Sequence, residues 1–97
     1  MTINVIKKRI IPILQSQGVT KAAIFGSFAT GDEKKTSDLD LLVKFSKTIS
    51  LLDLAHLKIS LEERIGRKVD ILTYNGIHPR LKNIILGEQK IIYEKKA

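Results

Sequence analysis

Three aspartates and one Gly-Ser pair could do chemistry in this chain. Asp38-Leu39-Asp40 opens onto the apolar run Leu41-Leu42-Val43. Side chains alternate along a strand, so Asp38 and Asp40 project from one face, with Cα atoms about 6.5 Å apart, while Leu39 and Leu41 project from the other. Two carboxylates at that spacing repel by roughly 2–3 kcal/mol at an effective dielectric of 20. A hard divalent cation between them turns the repulsion into attraction. Mg²⁺ suits such oxygen ligands, and two-metal sites hold their ions ~3.5–4 Å apart. A D-x-D pair also serves in turns and helix caps, but Asp is depleted from strand interiors like the one that begins here.

Asp70 interrupts Val69-Asp70-Ile71-Leu72, a segment of buried-strand character. A carboxylate there must be paired, exposed or bound to metal. Arg67 and Lys68 are the nearby pairing partners, and spacing alone does not bring Asp70 beside Asp38 and Asp40. Gly26-Ser27 follows the apolar run Ala22-Ala23-Ile24-Phe25. A strand that ends in Gly, then Ser, then a helical turn offers backbone N–H groups and a hydroxyl to a phosphate, and Gly lets the anion come close. Gly-Ser is equally a common turn.

The elements that must carry these residues are legible as periodicities. Ile3, Ile6, Ile10, Ile13 and Leu14 recur at helical spacing, so 3–17 is expected to be an amphipathic helix, kinked or split at Pro12 and stopped at Gly18. Residues 22–25 form the first strand, 28–37 one helical turn and a loop, and 39–45 the second strand. Ser50 and Asp53 resemble a capping box, followed by the stripe Leu54, Leu57, Leu61 and Ile65 and a stop at Gly66. Residues 68–73 read as a third strand. Pro79 is expected to open a short helix through Leu81, Ile84 and Ile85, ended by Gly87, and 90–93 to form an edge strand. Alternating helices and strands imply an α+β, mixed α/β domain over 1–97, a small mixed sheet with helices packed on it.

Composition narrows the partners. Seventeen basic against ten acidic residues give +7, which favours an anionic partner such as a nucleotide, nucleic acid or acidic protein face. Five aromatic residues are too few for a platform that stacks single-stranded bases. With no cysteine there is neither a disulfide framework nor a thiolate metal site, in keeping with a cytoplasmic setting. No stretch approaches the ~18 apolar residues of a membrane helix, and the N-terminal charges follow an apolar start, the reverse of a signal peptide. His56 and His78 are expected to be surface or capping residues, and Tyr74 and Tyr93 to serve packing. Lys7-Lys8-Arg9 is expected to be a solvated face.

Gly26-Ser27 followed by Asp38-Leu39-Asp40 resembles the G-S-x-D-x-D signature of the DNA polymerase β-like nucleotidyltransferase superfamily, and Gly66-Arg67-Lys68-Val69-Asp70-Ile71-Leu72 looks like its third-acid strand. The likeness extends through Ser50–Leu54 and His78–Leu81 and is nearest to the minimal nucleotidyltransferase (MNT) proteins, antitoxins commonly paired with a HEPN-domain toxin. It implies the polymerase β-like fold, two Mg²⁺ ions and ATP as donor. The reaction implied is transfer of AMP to a hydroxyl, in MNT–HEPN pairs a tyrosine of the RNase toxin, in complex with that partner. Gly26 and Ser27 would hold the triphosphate. Asp38 and Asp40 would bind both metals, and Asp70 would ligate one and activate the nucleophile. Many members of that superfamily carry arginine where this chain has Thr30, and Lys34 or Lys35 could replace the cation. Neutralisation of the partner by binding alone, or nucleotide addition to RNA, are the alternative activities.

Overall fold

A computed structural model describes residues 1–34 and 37–95, and Lys35 accordingly lies outside the described residues. Among the described residues, four helices and four strands follow one another as α1 (Ile3–Ser16), β1 (Val19–Phe25), α2 (Ser27–Thr30), β2 (Leu39–Phe45), α3 (Leu51–Ile65), β3 (Val69–Thr73), a 3₁₀ turn (Tyr74–Gly76), α4 (Lys82–Glu88) and β4 (Lys90–Glu94). The strands form one mixed sheet in the order β3-β2-β1-β4. β1 runs antiparallel to both β2 and β4, whereas β2 and β3 are parallel and joined by α3. This is the mixed α/β architecture that the periodicities imply.

Alternation along β2 divides the sheet into two unequal faces. Leu39, Leu41 and Val43 enter the main core with Ile6, Ile10 and Leu14 of α1 and Leu57, Leu61 and Ile65 of α3. Leu42 points the other way, to a small cluster with Ala23 and Ile77 on which Ile85 and Leu86 of α4 pack. Asp38 and Asp40 share Leu42's parity and therefore stand on the thin face. The thick face holds most of the buried apolar surface, the dominant favourable term in folding.

Local chemistry sets the element ends. Ser50 Oγ accepts from the Asp53 N–H (3.1 Å) while Asp53 Oδ2 accepts from the Ser50 N–H (3.3 Å), a complete capping box. Gly66, at φ 79°, ends α3 in the left-handed conformation that glycine adopts without penalty. Three expectations are corrected. α1 is not split at Pro12, which lies on its exposed side together with Lys8, whose carbonyl a proline cannot serve with an N–H. β1 begins at Val19, three residues before the apolar run, because Val19 and Lys21 already pair with Phe45 and Lys44 across a bulge. α4 begins at Lys82 instead of Pro79, since His78 Nδ1 accepts from the Arg80 N–H (3.1 Å) and holds residues 78–81 as a turn. Gly87 lies within that helix, one residue before its end.

Candidate functional site

β1 delivers its last residue, Phe25, opposite Asp40 of β2, and the next residue, Gly26, turns the chain into α2. Gly26 has φ 71° and ψ −149°, a region of backbone space essentially reserved for glycine. The close approach has its own reason. A Cβ at position 26 would collide with Oδ2 of Asp40. The glycine thus lets the turn lie directly against the carboxylate. Its carbonyl accepts from the Ala29 and Thr30 N–H groups (3.0 and 3.1 Å), which closes the single turn of α2.

On the other side of β2 the parallel ladder pairs Asp40 with Asp70. Neighbouring strands lie about 4.8 Å apart, so the two carboxylates rise from adjacent positions on the same thin face. This is the adjacency that residue spacing left open. Asp38 stands just before β2 and is exposed, Asp40 is half-buried, and Asp70 is exposed. Burial first, then the charges of Asp70 and Asp38, push the Asp40 carboxyl up from 3.8 to about 6. Asp40 is the electrostatic centre of the trio.

Asp38 and Asp70 also line an open cleft of about 560 Å³ with Lys58, Glu62, Arg67 and Lys68. Among the described residues, no three carboxylate or imidazole groups form a ready-made cage for an ion. The donor set fits a hard cation that keeps several waters and takes further oxygens from a bound phosphate, as Mg²⁺ does. The mutual repulsion of the three carboxylates is what such a cation would relieve.

Other expectations fall into place around this centre. Thr30 Oγ1 hydrogen-bonds to the Gly26 carbonyl (3.3 Å) and to Asp32 Oδ2 (3.0 Å), so its hydroxyl is engaged within the turn. His56 is exposed on α3, and His78 caps its turn. Tyr74 donates to Gln89 Oε1 (2.7 Å) and lies under Lys21 Nζ, 5.0 Å from its ring centroid, a packing role. Glu62 escaped the sequence reading, and Arg67, named there as a pairing partner for Asp70, has other contacts. Glu62 Oε2 accepts from the Val69 N–H (2.9 Å) and anchors the start of β3. Arg67 donates from Nη1 to the Ser37 carbonyl (2.9 Å), and its guanidinium carbon lies 5.0 Å from the Phe28 ring centroid. Its only sequence signal was a basic residue three positions before the third acid.

Gly26 thus lies against Asp40, the ladder partner of Asp70, on a mixed sheet with α1 and α3 packed on its other face. The chain belongs to the family described as "Polymerase beta, Nucleotidyltransferase", which matches residues 8–97. A protein of Methanocaldococcus jannaschii that carries the provisional name protein adenylyltransferase is 58% identical over 88 residues, which cover 91% of this chain and 95% of the relative. A solved structure provisionally described as a minimal nucleotidyltransferase superposes with a TM-score of 0.79 at 35% identity, over 93% of this chain and 95% of the other. The fold is shared as well with a chain from a solved complex of a tri-AMPylated Shewanella oneidensis HEPN toxin with an MNT antitoxin. That match has a TM-score of 0.75 at 17% identity, over 95% of this chain and 72% of the other. Among the described residues, no helix is long and apolar enough to cross a membrane.

Proposed function

We propose that this chain is a Mg²⁺-dependent adenylyltransferase that moves AMP from ATP to a tyrosine hydroxyl of a HEPN-type RNase, and so acts as the antitoxin of that partner. The observation that carries the reading is the pairing of Asp40 with Asp70 beside the Gly26 turn. The 58% identical relative named for protein adenylylation, and the AMPylated HEPN toxin in the complex that shares the fold, supply the reaction class and the partner class. The formal charge of +7 suits a polyanionic donor.

Asp38, Asp40 and Asp70 would hold the two Mg²⁺ ions. When bound, Mg²⁺ offsets charge on the triphosphate and lowers the pKa of an attacking hydroxyl. Gly26 leaves its turn free of a side chain where the phosphates approach, and Ser27 brings a hydroxyl and the first N–H of α2 to them. Asp70, exposed at the cleft, takes the proton of the acceptor hydroxyl. The acceptor oxygen then bonds to the α-phosphorus as the bond from that phosphorus to the bridging oxygen breaks, and pyrophosphate departs.

Incubation of the purified chain with α-labelled ATP, Mg²⁺ and the partner should label the partner, and Asp38→Asn combined with Asp40→Asn should abolish the label. An unlabelled partner, or full labelling by the double variant, rejects the reading. One observation favours a second reading, neutralisation by complex formation alone. The Thr30 hydroxyl is spent inside its turn and brings no charge to a triphosphate. Under that reading the double variant still protects cells from the toxin.

A further inference from the structure

We propose that Arg67 is a positioning residue that holds the Gly-Ser turn and the Asp38 loop in register with the strand bearing Asp70; the catalytic part of this inference rests on the adenylyltransferase reading. Each segment that contributes to the site comes from a different connection of the chain. Phe28 directly follows Ser27, Ser37 directly precedes Asp38, and Arg67 lies three residues before Asp70. The half-buried Arg67 side chain touches both of the others, through its 2.9 Å hydrogen bond to the Ser37 carbonyl and its position over the Phe28 ring.

The geometry asks for arginine in particular. A guanidinium is flat, so it can cover an aromatic ring with its face while its edge donates to a carbonyl. A lysine ammonium carries the same charge but has neither face nor edge. Phe28 is 4% exposed and packed into the main core, so the ring is a fixed platform and the Ser37 loop is what Arg67 ties to it. The other tethers nearby are narrower in reach. Leu39 N–H donates to the Lys68 carbonyl (2.9 Å), and Val69 N–H donates to Glu62 (2.9 Å). These align β2 with β3, and neither touches the α2 turn. Gly66, at φ 79°, turns the chain out of α3 one residue before Arg67.

The test compares Arg67→Lys and Arg67→Met with the unchanged chain in two measurements. In metal-free protein, amide hydrogen exchange in peptides covering 26–30 and 37–40 should quicken about tenfold in both variants, while the middle of α3 stays protected. Binding of Mn²⁺, followed by its electron paramagnetic resonance signal, should weaken about tenfold in both, the usual effect of removing a group that orients a metal ligand. AMP transfer should fall with it. Unchanged exchange in Arg67→Lys overturns the proposal. So does rescue by lysine of what methionine loses, because charge alone would then suffice. Absence of Mn²⁺ binding and AMP transfer in the unchanged chain sinks the adenylyltransferase reading instead; quickened exchange in both variants would then still support the tie made by Arg67.

Discussion

Asp40→Asn should make the metal-free protein more stable while abolishing its activity. Folding raises the Asp40 pKa from 3.8 to about 6, so the folded state disfavours the ionised carboxylate. For an acid shifted upward the sign runs one way: there is no cost below the unfolded value, a growing cost as pH rises through the window, and the full cost above about 6. Taken at face value the shift is worth about 3 kcal/mol at neutral pH. Asp40 is only half-buried and solvent screens its neighbours, so about 1 kcal/mol is the working figure. Thermal unfolding at pH 7.5 without divalent ions should then place the variant about 5 °C above the unchanged chain. At pH 5, inside the window, the gap should shrink to about half. Adding 10 mM Mg²⁺ should reverse the order: a Kd of about 1 mM would stabilise the unchanged chain by about 1.4 kcal/mol and leave the variant untouched. A metal-free Asp40→Asn protein no more stable than its parent at pH 7.5 would refute the claim that burial, together with the charges of Asp70 and Asp38, disfavours this carboxylate.

Gly26→Ala should lose at least about a hundredfold in AMP transfer, read by label incorporation, because the new methyl meets Asp40 Oδ2 and displaces either the turn or the ligand. The same change forces a non-glycine residue into φ 71°, and chemical denaturation should register a loss of about 1–3 kcal/mol. Ser50→Ala removes half of the α3 capping box and should cost about 1 kcal/mol in urea unfolding, with AMP transfer per folded molecule unchanged. Leu61→Ala, at a fully buried position between helix and sheet, should cost about 2–5 kcal/mol by the same measurement.

What could be read in advance was what depends on near neighbours in the chain. The span of β2, the opposed sides of Asp40 and Leu41, and the Ser50–Asp53 box all follow from residues within a few positions of each other. Asp70 was harder, because its place beside Asp40 is made by a parallel ladder that α3 must first bridge, and parallel pairing leaves no local mark. Gly26 was recognised for its approach to a phosphate, yet its contact with Asp40 depends on how β1 and β2 end together. Arg67 was legible only as a pairing partner for Asp70, and its contacts with Phe28 and Ser37 depend on how distant segments meet. At 78–81 the proline pointed to a helix start, and a histidine ring nitrogen made a turn of it.

The division of the sheet into a thick and a thin face has a consequence for errors in the chain. Along β2 the residues of one parity, 39, 41 and 43, are wholly buried, while 38 and 40 carry the charges. Sliding that strand by one position would exchange the two sets, pressing carboxylates into the helix-covered interior and turning leucines to water. Such a protein would not persist as a folded but idle copy, because the fault that misplaces the acids also removes the interior that holds the fold. Any molecule that reaches the native state therefore already has its acids on the correct side, and folding itself inspects the site.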